Sequence, residues 1–154
     1  MPGSKSSHYL VDTNILSASA PGKDKVYQAL AEWMDAHSAD LRLSVVTLTE
    51  IEDGIAKARR LGATRKAKHL AEWLESVVHL YDDQIIPIDT EIARETGRQH
   101  DKARGQGREP GLADMLIAAT AQVYSLTVLT RNVRDFEGCG VKVVDPFTDT
   151  SFQN

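Results

Sequence analysis

Acidic residues lie near the predicted strand ends and helix starts of this sequence, where an α/β fold forms its ligand site. Asp12 ends the apolar segment HYLVD, Glu50 is expected in the first turn of the helix after the second strand, and Asp114 opens an alanine-rich helix. The fourth predicted strand feeds Asn132 and Asp135 into the same region. Because the carboxyl ends of parallel strands share one edge of a sheet, these side chains are expected to converge there.

Converging carboxylates predict a bound cation. Several carboxylates held close together cannot all stay ionised unless a positive charge neutralises them. Oxygen ligands with no nearby His or Cys favour a hard ion such as Mg²⁺ or Mn²⁺. Such an ion lowers the pKa of a bound water and polarises a phosphoryl oxygen, which is the chemistry of phosphodiester hydrolysis. Each acid alone also fits an ordinary place at a helix start, a turn or a loop, so the hypothesis depends on the whole set.

Alternating strands and helices must position these acids. Strands are predicted over 8–12, 41–46, 85–88, 126–130 and 141–144. Helices are predicted over 23–37, 90–104 and 112–124. Two more are predicted between the first two of these, one from a cap at Thr47 or Thr49 to Leu61 and one that begins after Gly62 and ends at Val78. Pro87 favours an edge position or a strand end for the third strand. This alternation predicts a three-layer α/β/α sandwich around a parallel sheet of about five strands.

Composition limits the architecture and the setting. The chain has 154 residues, of which 42% are hydrophobic, enough for one domain with a real core. We expect a flexible segment over 1–7, a domain over 8–147 and a tail over 148–154. One cysteine, Cys139, excludes an internal disulfide and a thiolate zinc cluster, and the cytoplasm is the expected location. No apolar stretch is long enough to span a membrane.

Five segments of the chain resemble a PIN domain of the VapC toxin type. They are VDTNIL, SVVTLTEIEDGI, LADMLIAATA, LTVLTRNVRDF and VKVVDPF, and the resemblance runs in order from about His8 to Phe147. It implies a Mg²⁺- or Mn²⁺-dependent endoribonuclease that is the toxin of a toxin–antitoxin pair. It also implies a homodimer that a VapB-like antitoxin inhibits.

The resemblance assigns roles to residues of this chain. The family's acids fall on Asp12, Glu50 and Asp114, with Asp12 and Asp114 as the main metal ligands and Glu50 binding the ion or orienting the attacking water. Many relatives have a fourth acid where this chain has Asn132. Either Asp135 substitutes for it from the same loop or Asn132 binds through its carbonyl, and one firmly held ion is expected. The hydrogen-bonding residues that would hold the carboxylates are Thr13, Asn14, Thr130 and Asn132.

Basic residues are unevenly distributed in a chain whose formal net charge is -4. That charge argues against a surface coated in positive charge for duplex binding. No acid lies between Gly54 and Ala71, where six cations are found, and a second basic set over 94–108 is interleaved with acids. A solvated helix face explains such segments equally well. The candidate contacts for RNA or a protein partner are Arg59, Arg60, Arg65, Lys68, Arg104 and Arg108.

Other functional classes fit less well. The histidines form no metal-binding pattern, and no serine lies in a nucleophile elbow. Haloacid-dehalogenase-like phosphatases need a second Asp where this chain has Asn14. Trp33 and Trp73 lie in apolar helical stripes that indicate core or dimer packing. The alternative that stays open is a catalytically weak PIN-like module that binds RNA or a protein, and Asn132 is the residue that favours it.

Overall fold

The computed structural model describes residues 8–22 and 25–152, and its strands form one parallel sheet. The strands are β1 (Tyr9–Val11), β2 (Leu41–Ser44), β3 (Ile85–Ile86), β4 (Thr127–Leu129) and β5 (Val143–Val144). Their order is β3-β2-β1-β4-β5, and every neighbouring pair is parallel. The predicted five-stranded parallel sheet is confirmed, as is the edge position of the strand that precedes Pro87.

Helices cover both faces of this sheet. They are α1 (Thr13–Ala18), α2 (Lys25–Ala36), α3 (Val45–Arg60), α4 (Thr64–Leu80), α5 (Thr90–Gly105) and α6 (Leu112–Tyr124). Side chains of β1 alternate between the faces, because successive residues of a strand point in opposite directions. Val11 packs with residues of α1 to α4, whereas Leu10 packs with residues of α5 and α6. The predicted three-layer α/β/α sandwich is therefore confirmed.

The boundary between β2 and α3 differs from the prediction of a strand over 41–46. Ser44 has extended backbone angles, and its hydroxyl accepts a hydrogen bond from the Val46 N–H at 3.0 Å, so it caps the helix. The predicted caps, Thr47 and Thr49, lie inside α3. Glu50 consequently lies in the second turn of the helix, and the prediction of a first-turn position was wrong.

A short helix that the sequence does not predict follows β1. The predicted strand ends at Asp12, and α1 begins directly after it, at Thr13. Asp12 is its N-cap, and its carboxylate accepts a hydrogen bond from the Thr13 N–H at 2.9 Å. The segment between the predicted fourth and fifth strands, 131–140, likewise contains a 3-10 helix, Val133–Phe136. Both short elements carry polar residues of the candidate site.

The sequence predicts a flexible segment over 1–7 and a tail over 148–154. The flexible segment expected over 1–7 lies outside the described residues, as do Lys23 and Asp24 of the predicted helix over 23–37. The expected C-terminal tail contains a 3-10 helix, Thr150–Phe152. The Phe152 ring is buried, with its centroid 5.8 Å from that of Tyr9 and 4.5 Å from that of Trp33. Burial of this aromatic ring makes residue 152 part of the core.

Two further observations concern the helices. Gly62 has a φ of 82°, in the left-handed region, and it separates α3 from α4 as the sequence predicted. In the described part of the chain, no helix is both long and apolar enough to cross a membrane.

Leu10 offers a direct test of the sheet's core. Leu10→Ala removes a fully buried side chain from the central strand and should lower the free energy of unfolding by about 2–5 kcal/mol. Leu61→Ala, the same change at a side chain that is 66% exposed, should lower it by less than about 0.5 kcal/mol. Urea denaturation of both variants measures the difference, and equal effects would contradict the described packing.

Candidate active site

The Asp12 carboxylate lies at the centre of the site, where the central strand ends. Its Oδ1 accepts the Thr13 N–H at 2.9 Å. Its Oδ2 accepts the Thr130 hydroxyl at 2.8 Å and the Asn14 side-chain amide at 3.2 Å. Burial raises the pKa of Asp12, and the hydrogen bonds from Thr130 and the Thr13 N–H partly offset that rise. The charges of Glu50 and Asp135 raise the pKa further.

A polar network ties the end of β1 to the end of β4. The Asn14 amide donates to the Thr130 hydroxyl oxygen at 3.1 Å, and its Oδ1 accepts the Arg131 N–H at 3.0 Å. The same Thr130 oxygen accepts the Asn132 N–H at 3.0 Å. Thr130 is fully buried, and its hydroxyl uses its one proton and both acceptor positions. The orientation of the Asp12 carboxylate is therefore fixed by groups on both strands.

Glu50 reaches the site from α3. Its Oε1 accepts the Thr13 hydroxyl proton at 2.6 Å, and the Thr13 oxygen lies 3.3 Å from the buried Thr47 hydroxyl. Thr13 therefore links Glu50 to the segment that begins with Asp12. From the sequence, Thr47 is predicted only as a helix cap, because a strand that runs to residue 46 does not place it beside Thr13.

Asp114 and Asp135 bring two more charges to the same edge of the sheet. Asp114 lies in the first turn of α6, where burial raises its pKa to about 6. The charges of Asp135, Asp12 and Glu50 contribute to this rise, in that order. Asp135 lies in the 3-10 helix Val133–Phe136, which the buried Phe136 anchors. Asp114 thus lies within electrostatic reach of the other three acids named from the sequence, and Asp12 lies within reach of Glu50 and Asp135.

Asn132 and Asp135 occupy different places in the β4 loop. Asn132 precedes the 3-10 helix, its side chain is exposed, and its backbone N–H is the group that contacts Thr130. Asp135 is the residue whose charge acts on both Asp12 and Asp114. Of the two candidates for the fourth acidic position, only Asp135 carries a charge that acts on the other acids, whereas Asn132 would bind an ion through its neutral carbonyl.

The donor chemistry of these residues fits a hard divalent cation. Carboxylate oxygens are the ligands that Mg²⁺ and Mn²⁺ prefer, and a cation would relieve the repulsion that raises the pKa of Asp114. Within residues 8–22 and 25–152, no three His, Cys, Asp or Glu side chains are grouped tightly enough to hold an ion as they stand. An ion held by three of these carboxylates would require them to draw together, whereas Mg²⁺ held by one or two carboxylates completes its coordination with water.

The candidate basic contacts fall into two regions. The first set lies where α3 and α4 meet, and all its members are exposed: Arg59, Arg60, Arg65 and Lys68. Arg60 is ten residues from Glu50 on the same helix, about 15 Å along its axis, so this tip is distinct from the acidic cleft.

The second region lies around the connection between α5 and α6. Arg104 has its Nε 3.4 Å from a carboxylate oxygen of Glu109. Arg108 is only partly exposed, and its guanidinium donates to the Gln106 side-chain oxygen at 3.1 Å. Arg108 is thus held by its own loop, whereas the residues of the α3–α4 tip extend into solvent.

Comparison with known proteins agrees with the resemblance inferred from the motifs. The PIN domain family model matches residues 9–138. Toxin FitB of Neisseria gonorrhoeae is 34% identical over 142 residues, which cover 91% of this chain and 99% of that protein. VapC ribonuclease Y4jK of Sinorhizobium fredii is 29% identical over 140 residues, covering 90% of this chain and 96% of that protein.

A solved structure supports the same relationship. The crystal structure of FitAcB from Neisseria gonorrhoeae matches with a TM-score of 0.78 at 33% identity, covering 92% of this chain and 99% of that one. With the family model matching most of the sequence and the fold shared almost from end to end, the chain belongs to the PIN-domain family, among relatives that include FitB and VapC toxins.

Proposed function

We propose that this protein is a Mg²⁺- or Mn²⁺-dependent endoribonuclease and the toxin of a toxin–antitoxin pair. The observation that carries the proposal is the convergence of four acids at the carboxyl edge of the sheet. Thr13 links Glu50 to the segment that begins with Asp12, and the charges of Asp135, Asp12 and Glu50 all act on Asp114 in the first turn of α6. Relatives of similar length support it, since one is a toxin and another a VapC ribonuclease.

The acidic residues have distinct roles in the proposed reaction. Asp12 and Asp114 would be the main metal ligands, and Asp135 would supply the fourth acid. When bound, the ion would polarise a phosphoryl oxygen and lower the pKa of a water. Glu50, which Thr13 holds at the mouth of the site, would bind the ion or orient the attacking water and accept its proton.

Supporting residues hold the central ligand in place. Thr130 and Asn14 hydrogen-bond the same oxygen of Asp12, so that oxygen keeps its direction when the site binds an ion. Thr13 fixes Glu50 in the same way. Asn132 acts through its backbone, by donating to Thr130. These contacts give rigidity to a site that is built from separate segments of the chain.

RNA must reach this cleft on a protein of net charge -4. The exposed cations at the α3–α4 tip are the surface that would attract its phosphates: Arg59, Arg60, Arg65 and Lys68. A VapB-like antitoxin is the protein partner that the relatives named toxin FitB and VapC ribonuclease suggest. A second copy of the chain is the further partner that the sequence resemblance implies, and the cytoplasm is the compartment in which we expect these proteins to meet.

Removing one metal ligand should abolish cleavage without unfolding the protein. Asp12→Asn and Asp114→Asn should each lower cleavage of single-stranded RNA in Mn²⁺ by about 100-fold or more, because each removes a charged ligand. Glu52→Gln, a change of an exposed acid on α3, is the control and should cut normally. Chelation by EDTA should stop the wild-type protein. Full activity of a folded Asp12→Asn protein would contradict the proposal.

The repulsion at Asp114 should appear as a pH-dependent stability without metal. The pKa of Asp114 is raised from 3.8 to about 6 in the folded state, so its ionised form opposes folding. Its unfavourable effect is therefore present above pH 6 and disappears as the pH falls towards 4.

Asp114→Asn should thus melt at a higher temperature than the wild-type protein at pH 7.5 in EDTA, and the two should converge near pH 4. Thermal denaturation across this range measures the gap. Asp101→Asn, at an exposed position of α5, should show no such trend. A gap that is the same at both pH values would be inconsistent with the repulsion described.

The basic tip should control RNA binding more than catalysis. Arg60→Gln combined with Arg65→Gln should raise the KM for RNA with little change in kcat. The double variant should also reduce the salt dependence of RNA binding, because the slope of log affinity against log salt concentration decreases in magnitude by about 0.7 for each phosphate that is no longer neutralised. Arg98→Gln is the control, because Arg98 is engaged by Glu95 at 2.8 Å. An unchanged KM and salt slope in the double variant would exclude the tip as an RNA contact.

A further inference from the structure

Two loops that lead to different acids touch each other at Arg108 and Gly138. Residues 106–111 connect α5 to α6, whose first turn carries Asp114. Residues 137–140 follow the 3-10 helix that carries Asp135. A Cβ atom placed on Gly138 would lie 2.9 Å from Nη2 of Arg108, so the guanidinium group lies directly against the Gly138 backbone.

Each side of this contact is anchored to the core. The Arg108 N–H donates to the Ala103 carbonyl at the end of α5, and the Arg108 guanidinium donates to the Gln106 side chain at 3.1 Å. On the other side, the Cys139 N–H donates to the Phe136 carbonyl at 3.2 Å. Phe136 and Cys139 are both buried in the cluster that includes α6. The contact therefore joins two fixed points.

The acids that these loops carry push against each other. Asp135 is the first of the three neighbouring charges that act on Asp114. Repulsion between two carboxylates favours separation of the segments that carry them. A contact between the loops outside the carboxylates opposes that separation.

We propose that Arg108 is a positioning residue. Its contact with Gly138 holds the loop after Asp135 against the loop before Asp114 and so sets the spacing of these two carboxylates. The inference rests on the proposed function, because the spacing matters for a shared ion. It replaces the expectation from the sequence that Arg108 contacts RNA. Its guanidinium group lies against Gly138 and Gln106, and the residue is only partly exposed.

Two glycines of similar backbone geometry provide a matched pair of variants. Gly138 and Gly140 have φ angles of 78° and 72°, so alanine introduces comparable backbone strain at either position. At Gly138 the new Cβ also meets the Arg108 guanidinium at 2.9 Å and the Gln106 side-chain oxygen that binds it at 3.0 Å, whereas at Gly140 the nearest atom is 3.8 Å away. Since an arginine end group can move aside, Gly138→Ala would displace Arg108, and Gly140→Ala would not.

The test measures Mn²⁺ binding by calorimetry in the full chain, with RNA cleavage in parallel. Arg108→Ala and Gly138→Ala should weaken Mn²⁺ binding about tenfold, as loss of groups that orient metal ligands does elsewhere. The KM for RNA at saturating Mn²⁺ should be unchanged, and Gly140→Ala should bind Mn²⁺ more tightly than Gly138→Ala. Hydrogen exchange of the amides at 137–139 should be faster in Arg108→Ala.

Other outcomes would overturn the proposal. Wild-type Mn²⁺ affinity with a raised KM in Arg108→Ala would make Arg108 an RNA contact. Equal losses in Gly138→Ala and Gly140→Ala would assign the effect to backbone strain. If the wild-type protein binds no Mn²⁺, the proposed function fails. Amide exchange alone then tests whether Arg108 holds the two loops together, and an unchanged exchange rate at 137–139 in Arg108→Ala overturns that contact's proposed role.

Discussion

Repulsion among carboxylates is the constraint on which the arrangement of this site depends. Asp12 is 5% exposed at the end of the central strand, and the charges of Glu50 and Asp135 raise its pKa further. A buried carboxylate near other acids is costly unless hydrogen bonds or a cation compensate it. Thr130, Asn14 and the Thr13 N–H supply part of that compensation. The remaining repulsion, most evident at Asp114, is what a bound cation would relieve.

The fold brings these charges together because parallel strands end at the same edge. β1 carries Asp12 and is paired with β2 on one side and β4 on the other. The segments that follow β2 and β4 lead to Glu50 and Asp135, and α6 adds Asp114 from the layer that packs on Leu10. Four separate parts of the chain therefore meet at one edge, while the basic tip of α3 and α4 lies away from it.

Features with strong local signals could be predicted from the sequence, whereas contacts between distant segments could not. The alanine-rich helix α6 was predicted with the bounds it has, and the acids were singled out because each was expected to follow a strand or to open a helix. The six residues of α1 are too few to show a helical period, and Ser44 was missed as a cap because the apolar pair after it continued the pattern of the strand. Nothing near Phe152 indicates that its ring packs on Trp33, and nothing near Gly138 indicates a contact with Arg108. Tertiary geometry decides these contacts, and local pattern cannot supply it.

The central claim is that the carboxyl edge of the sheet binds a divalent cation through Asp12 and Asp114. The most direct measurement is anomalous diffraction from crystals of the protein grown with Mn²⁺. The account predicts an anomalous peak between the carboxylates of these two residues, absent from crystals of Asp12→Asn. A well-ordered cleft without such a peak, or a peak bound only elsewhere on the protein, would contradict it.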